Sequence, residues 1–372
     1  GAAANSPLGT QPTVSLQDAY GNNVTGGSSI PVTMAIMYGS GTSGAVLSGT
    51  KTVNTVNGTA TFTDLKIDKV GTNYKLYAYT GFYDYALSLP ISITGIGRAT
   101  NNTLKAMDVV TEKDRWAVGI GGTIVASSDG GQTWWNQTSG TSNDLYSVDF
   151  INRGTGWVVG QNGTILYTTN SGQTWNQKSS GTSYDLYKVS FNGYHRGIIT
   201  GANGLVLYTQ DQGNTWYPGN SGTSRNLMSV SYASSNNAWA VGTSGEIRRT
   251  SDGGNTWTSQ SSNVTRDLRS IYCVSSIRCW AVGKDGRVLK TTNGGTTWSV
   301  SIVHNSPTED FNGINFVDEN KGWIVGNNGT AFKTTDGGET WVHTDTGTTT
   351  DLQDVVFVGN PDGGAVGGDG TV

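Results

Sequence analysis

Charge is scarce in this chain. Asp, Glu, Lys and Arg make up 13% of its residues, about half the usual roughly 25%. The 23 Lys+Arg and 27 Asp+Glu leave a net charge of -4 with no block of one sign, so the basic stripe that a nucleic-acid partner needs is missing. No apolar run approaches the roughly 18 residues of a spanning helix, and no segment carries helical periodicity. No transmembrane segment is therefore expected. Proline is limited to seven residues, too few for a collagen-like or mucin-like chain. The chain opens at Gly1-Ala2-Ala3-Ala4-Asn5 without an initiator Met or a basic, apolar signal segment, and reads as a mature exported protein or an excised piece.

What is abundant is glycine, 54 residues in 372, together with 12 Trp, 16 Tyr and 8 Phe. Glycine at about twice its usual share signals many tight turns, and the aromatics supply the packing surface of a folded chain. A fixed period organises both. Tryptophans close successive segments at Trp134, Trp175, Trp216, Trp257, Trp298 and Trp341, with gaps of 41, 41, 41, 41 and 43 residues. Gly119, Gly160, Gly201, Gly242, Gly283, Gly326 and Gly367 give an independent count of seven starts. Each repeat holds four short strands between turn signals, as in Leu145 to Phe150, Gly156 to Gly160, Thr164 to Thr169 and Trp175 to Lys178. Four antiparallel strands in about 41 residues describe one blade of a β-propeller, so the expected fold is all-β with a seven-bladed propeller.

Before each closing tryptophan stands a turn such as Ser127-Ser128-Asp129-Gly130-Gly131-Gln132-Thr133-Trp134 or Thr250-Ser251-Asp252-Gly253-Gly254-Asn255-Thr256-Trp257. Asn170, Asp211, Asn293 and Asp336 occupy the matching place elsewhere. A short Asp or Asn side chain bonds backbone N–H groups within the turn, glycine accepts positive φ, and the tryptophan packs between sheets. The turn resembles the Asp-box of the BNR repeat family. The seven-repeat region as a whole, with Gly156-Trp157-Val158-Val159-Gly160 and Gly163-Thr164-Ile165, is similar to photosystem II assembly-factor-like propellers. That resemblance implies a fold and a binding module. Sialidases share the Asp-box, but they require an arginine cluster, a tyrosine nucleophile and an acid, and no Arg-Ile-Pro-like signature opens this propeller. Xyloglucan-cleaving hydrolases with similar repeats form their cleft from two propellers.

Upstream the composition shifts. No Trp precedes Trp116, and short alternating strands run at Thr13 to Leu16, Val32 to Tyr38, Lys51 to Val56, Thr59 to Phe62, Tyr74 to Thr80 and Ala86 to Ile93. Such strands between Gly/Asn turns predict a β-sandwich. Asp18-Ala19-Tyr20-Gly21-Asn22-Asn23-Val24-Thr25, Leu47-Ser48-Gly49-Thr50 and Asn57-Gly58-Thr59-Ala60-Thr61-Phe62 resemble bacterial Ig-like domains of the invasin/adhesin type, which implies a spacer on a cell-surface protein. The expected organisation is an N-terminal segment over 1–12, an Ig-like β-sandwich over 13–94, a linker or closing strand over 95–102, and the propeller over 103–372.

Candidate chemistry is sparse. Cys273 and Cys279 flank five residues of a hairpin and are expected to form a disulfide, with two buried thiols as the other structural reading. No further Cys and no nearby His completes a metal ligand set. His195, His304 and His343 fall in different repeats. The most suggestive polar feature is a recurring column, Asp144, Asp185, Asn226, Asp267, Asp310 and Asp351, each directly before the first apolar residue of an inner strand. It forms a possible ligand face at the channel mouth for a cation or a basic partner, or else the same residues start their strands through local Asx turns. No catalytic residue, cofactor or metal site is expected.

The last repeat begins at Leu352 and stops at Val372, 21 residues into its period, so an incomplete last blade is expected. Residues Ser92 to Asn102 could supply one strand, and either a continuing chain or a strand from another subunit would complete the rest. The leading expectation is a non-enzymatic, secreted or cell-surface protein: a propeller as binding or assembly platform, an Ig-like spacer, and a protein or polysaccharide partner, with possible self-assembly into a fibre or array. The alternatives are a membrane-complex assembly factor like the photosystem propellers and an Asp-box glycoside hydrolase.

Overall fold

The computed structural model describes residues 8, 10–18, 20–26, 28–69, 71–81, 83–93, 99–303, 309–357 and 363–372. Residues 95–98 of the expected 95–102 joint and His304 lie outside them. The chain divides into two compact units, Gly1–Gly97 and Arg98–Val372. Among the described residues there is no α-helix, and no helix is long and apolar enough to cross a membrane.

In the first unit a four-stranded sheet runs in the order Thr52–Asn54, Pro31–Ile36, Leu76–Thr80, Tyr83–Leu87. Three antiparallel pairs accompany it: Thr13–Ser15 with Thr59–Thr61, Leu47–Ser48 with Lys66–Ile67, and Gly71–Tyr74 with Ile91–Ile93. Alternation puts Val32, Met34, Leu76 and Ala78 into a core with Phe62, Leu65 and Ile67. Tyr74 is fully buried and its hydroxyl donates to the Lys69 carbonyl at 2.8 Å. The polar motifs of this unit build turns. Asp18 accepts the Tyr20 and Asn22 amides at 2.9 Å each, and Asp64 accepts the Thr50 amide at 2.8 Å.

The second unit is a β-propeller. Six four-stranded antiparallel sheets follow one another, from Leu104–Val109 to Val342–His343, and a two-stranded sheet of Leu352–Phe357 and Gly363–Gly367 comes last. Within a sheet, burial peaks at the second strand and falls towards the outer one. The second strand, as in Gly156–Gly160, is buried on both faces and so reads as an unbroken apolar run, whereas the outer strand Asn176–Lys178 is polar and largely exposed. Inner strands of successive sheets adjoin, and the last adjoins the first. The closure is hydrogen-bonded: Met107 N–H donates to Asp354 Oδ2 at 3.3 Å, Arg115 Nη1 to the Gly363 carbonyl at 2.9 Å, and Ala99 N–H to the Gly370 carbonyl at 2.9 Å.

Sheets are joined mainly by aromatic stacks. Trp116 of one second strand stacks on Phe150 of the next inner strand at 3.9 Å between centroids, and Trp157–Phe191, Trp280–Phe316 and Trp323–Phe357 repeat this at 4.0, 3.8 and 3.9 Å. The closing tryptophan of the following sheet meets the same Phe edge-on, as Trp175 does Phe150 at 5.8 Å. The deepest wedges are thus second-strand tryptophans. Trp157, Trp239 and Trp280 are fully buried, whereas of the six closing tryptophans only Trp257 and Trp298 are buried and the others are half-buried. Truncating such a buried tryptophan costs about 3–5 kcal/mol. The Phe ring lies across the strand opposite, so a Cβ at Gly156 would come within 2.6 Å of Phe150. That explains the glycine opening this strand.

Candidate functional site

The inner strand of every sheet carries a register shift between its first and third residues, from Leu104/Ala106 to Leu352/Asp354. A bulge re-aims the extra residue out of the ladder. The bulged residues are Lys105, Tyr146, Tyr187, Met228, Arg269, Asn312 and Gln353, all half-buried. Neighbours meet around the ring: the Tyr146 and Tyr187 rings lie 6.0 Å apart, and Arg269 Nη1 donates to Asn312 Oδ1 at 2.6 Å. Nothing in the sequence marks these positions, because a bulge is a property of the pairing.

The acidic column sits beside them, and its bonding differs from a local Asx turn. Each Oδ1 reaches the loop of the preceding sheet: Asp144 accepts the Gly121 amide at 2.8 Å, Asp185 that of Asn162 at 3.0 Å and Asn226 that of Asn203 at 2.9 Å. Asp267 accepts from Ser244 at 2.9 Å, Asp310 from Asp285 at 3.3 Å and Asp351 from Asn328 at 2.9 Å. The donors are loop residues held at positive φ, such as Asn162 at 56°. The following Gly163 is obligatory, since its Cβ would meet the Thr182 carbonyl at 2.1 Å. The column is therefore a set of latches between sheets, and loops, column and bulges share one end of the channel.

Charge is uneven around this mouth. Asp267 pairs with Lys284 at 2.8 Å, Asp310 with Arg269 at 2.8 Å, and Asp285 with Arg266 at 2.7 Å. Asp144, Asp185 and Asp351 have no cationic partner among the described residues. Burial and then the Asp185 and Asp144 carboxylates push the Tyr146 hydroxyl up to about 12, and burial and Asp185 raise Tyr187. Both carboxylates thus act on the tyrosine pair.

Deeper, a cavity of about 280 Å³ is lined by all seven inner strands. An inner strand is an edge strand, and its channel-side N–H groups need acceptors. Polar side chains of the preceding sheet supply them. Asp108 Oδ2 accepts the Phe150 amide at 2.6 Å, Asp149 Oδ2 that of Phe191 at 2.7 Å, Ser231 that of Cys273 at 3.1 Å, and Asn315 that of Phe357 at 3.2 Å. Lys188 Nζ lies 3.9 Å from Asp354 Oδ2. Burial raises Asp108 to about 6, and burial with the neighbouring Asp108 charge raises Asp149 to about 8. These aspartates were not singled out from the sequence, although a carboxylate inside an apolar inner strand, as in Val148-Asp149-Phe150, is a readable signal.

The Asp-boxes are turn-builders in the structure. Asp129 accepts the Thr133 amide at 2.9 Å and the Ser127 hydroxyl at 2.8 Å, and Asn170, Asp211, Asp252, Asn293 and Asp336 bond their own turns alike. The Trp116 indole N–H reaches the Ser171 carbonyl in the next sheet's box at 3.3 Å. Cys273 and Cys279 are disulfide-bonded and directly paired across the hairpin. They occupy the places of Phe150 and Gly156, so the bridge fills the space of the aromatic plug beneath Trp239. His195 and His343 are exposed and apart from the channel. No group of three or more His, Cys, Asp or Glu among the described residues has metal-holding geometry.

A family model described as photosynthesis system II assembly factor YCF48 matches residues 134–219 and 219–312. Among solved structures, YCF48 bound to D1 peptide is similar at 21% identity and a TM-score of 0.63, covering 73% of this chain and 91% of that one. YCF48 from Cyanidioschyzon merolae is similar at 20% identity and a TM-score of 0.62, covering 75% and 97%. The WD40 β-propeller domain of Doa1 reaches 0.61 at 13% identity, covering 75% and 96%. At these identities the likeness establishes the fold. No match is found among curated proteins.

Proposed function

We propose that the second unit is a non-enzymatic, peptide-binding propeller that serves in the assembly of a protein complex, with seven blades of which the last has two strands here. The observation that carries this reading is the division of labour among its polar groups. Asp-box, column and channel side chains are engaged with backbone amides, and the bulge ring is the surface whose side chains remain half-exposed and chemically varied. The YCF48 family match supports an assembly-factor role, and the solved YCF48 bound to a D1 peptide supports a protein segment as the ligand class. Within this reading the first unit is an Ig-like spacer. The Cys273–Cys279 bridge favours an exported location, because disulfides persist in oxidising compartments.

Deleting the chain from its source cell tests the proposal. Native gels should then show accumulated intermediates of a membrane complex, and the purified chain should hydrolyse no member of a sialoside and β-glucan panel. Normal complexes in the deletion strain, or turnover of any glycan, would contradict it.

A further inference from the structure

The mouth is built on one backbone plan, yet its chemistry is concentrated on one side. Tyr146 and Tyr187 are adjacent bulge residues, and Tyr184, 48% exposed, stands one residue before Asp185. Asp144 and Asp185 each use one oxygen as a latch, and the second oxygen of each has no partner among the described residues. Across the ring Asp267 and Asp310 are already neutralised by Lys284 and Arg269, and Asp351, likewise without a cationic partner among the described residues, has Gln353 in place of a tyrosine at its bulge. Lys105 borders the arc one sheet earlier, and Lys188 lies deeper, towards Asp354. Aromatic faces flanked by unpaired carboxylates complement a cation that can stack, while the ion-paired side offers no such field.

We propose that the arc of Tyr146, Tyr184 and Tyr187 with Asp144 and Asp185 is the docking site for a cationic side chain, arginine or lysine, of a peptide partner. This rests on the peptide-binding reading and narrows it to a basic ligand. The cation stacks on the tyrosine rings and bonds the free carboxylate oxygens, so binding weakens as salt rises.

The test uses the full chain and three nine-residue Gly/Ser peptides with arginine, citrulline or glutamate at two central positions. Titration calorimetry should show the arginine peptide binding at least about tenfold more tightly than the citrulline peptide, whose stacking geometry is kept and whose charge is gone. The double variant Asp144→Asn/Asp185→Asn should lose the same factor. It retains the latches, since Asn226 already makes that bond with its amide oxygen. Equal binding of arginine and citrulline peptides, or unchanged binding by the variant, would overturn the proposal. Binding of the glutamate peptide alone would overturn the basic ligand and leave peptide binding standing. Failure of all three would remove both.

Discussion

At the mouth of the ring Asp185 accepts the Asn162 amide at 3.0 Å, and inside the channel Asp149 accepts the Phe191 amide at 2.7 Å. Both bonds join neighbouring sheets. Their surroundings differ: both carboxylates are half-buried, but Asp149 is lodged among the inner strands with Asp108 as a neighbouring charge. Asp267, a mouth residue, is held below the usual carboxylate range by Lys284, first through a hydrogen bond to its side chain, whereas Asp149 is raised by burial and then by Asp108. A shared backbone need has been met twice, once where a charge is free to recruit a ligand and once where it strains the fold.

That contrast is sharpened most by pH. Asp108 and Asp149 hold their protons more tightly folded, at about 6 and about 8, than in the unfolded chain near 3.8. The folded state therefore binds more protons in this window, and stability falls as pH rises from about 4 through about 8, by on the order of a few kcal/mol. Urea unfolding at pH 5 and pH 8.5 should show this loss, and Asp108→Asn/Asp149→Asn should flatten it while keeping both acceptors. A wild-type stability that rises over the window would break the contrast. A smaller effect belongs to the mouth. Asp185→Ala should cost about 0.5–1.5 kcal/mol by removing a latch, and Asp185→Asn should stay within about 0.5 kcal/mol of wild type at either pH. A large pH-dependent effect of Asp185→Asn in the same unfolding experiment would place it with the channel carboxylates.

The repeat, its strands and the disulfide were readable because each leaves a mark at fixed spacing: Trp134 to Trp341 for the turns, Gly119 to Gly367 for the second strands, Cys273 facing Cys279. The column was visible as a set of positions, but its partners were not. Asp144 bonds Gly121, 23 residues back, a contact made by the packing of one sheet against the next. The bulge ring was invisible for the same reason, since the re-aiming of Tyr146 and Tyr187 depends on register with the second strand. The enclosure of Trp157, Trp239 and Trp280 beyond that of most closing tryptophans likewise follows from how sheets face each other.

Recognition at the mouth is tested most directly by hydrogen exchange on the full chain with and without the arginine peptide. Slowed exchange should be confined to Tyr184–Lys188, Leu145–Ser147 and the adjoining loops at Gly121 and Asn162, with the Asp-box turns unchanged. Protection centred on those turns, or on the far end of the channel, would contradict the assignment of this face as the binding surface.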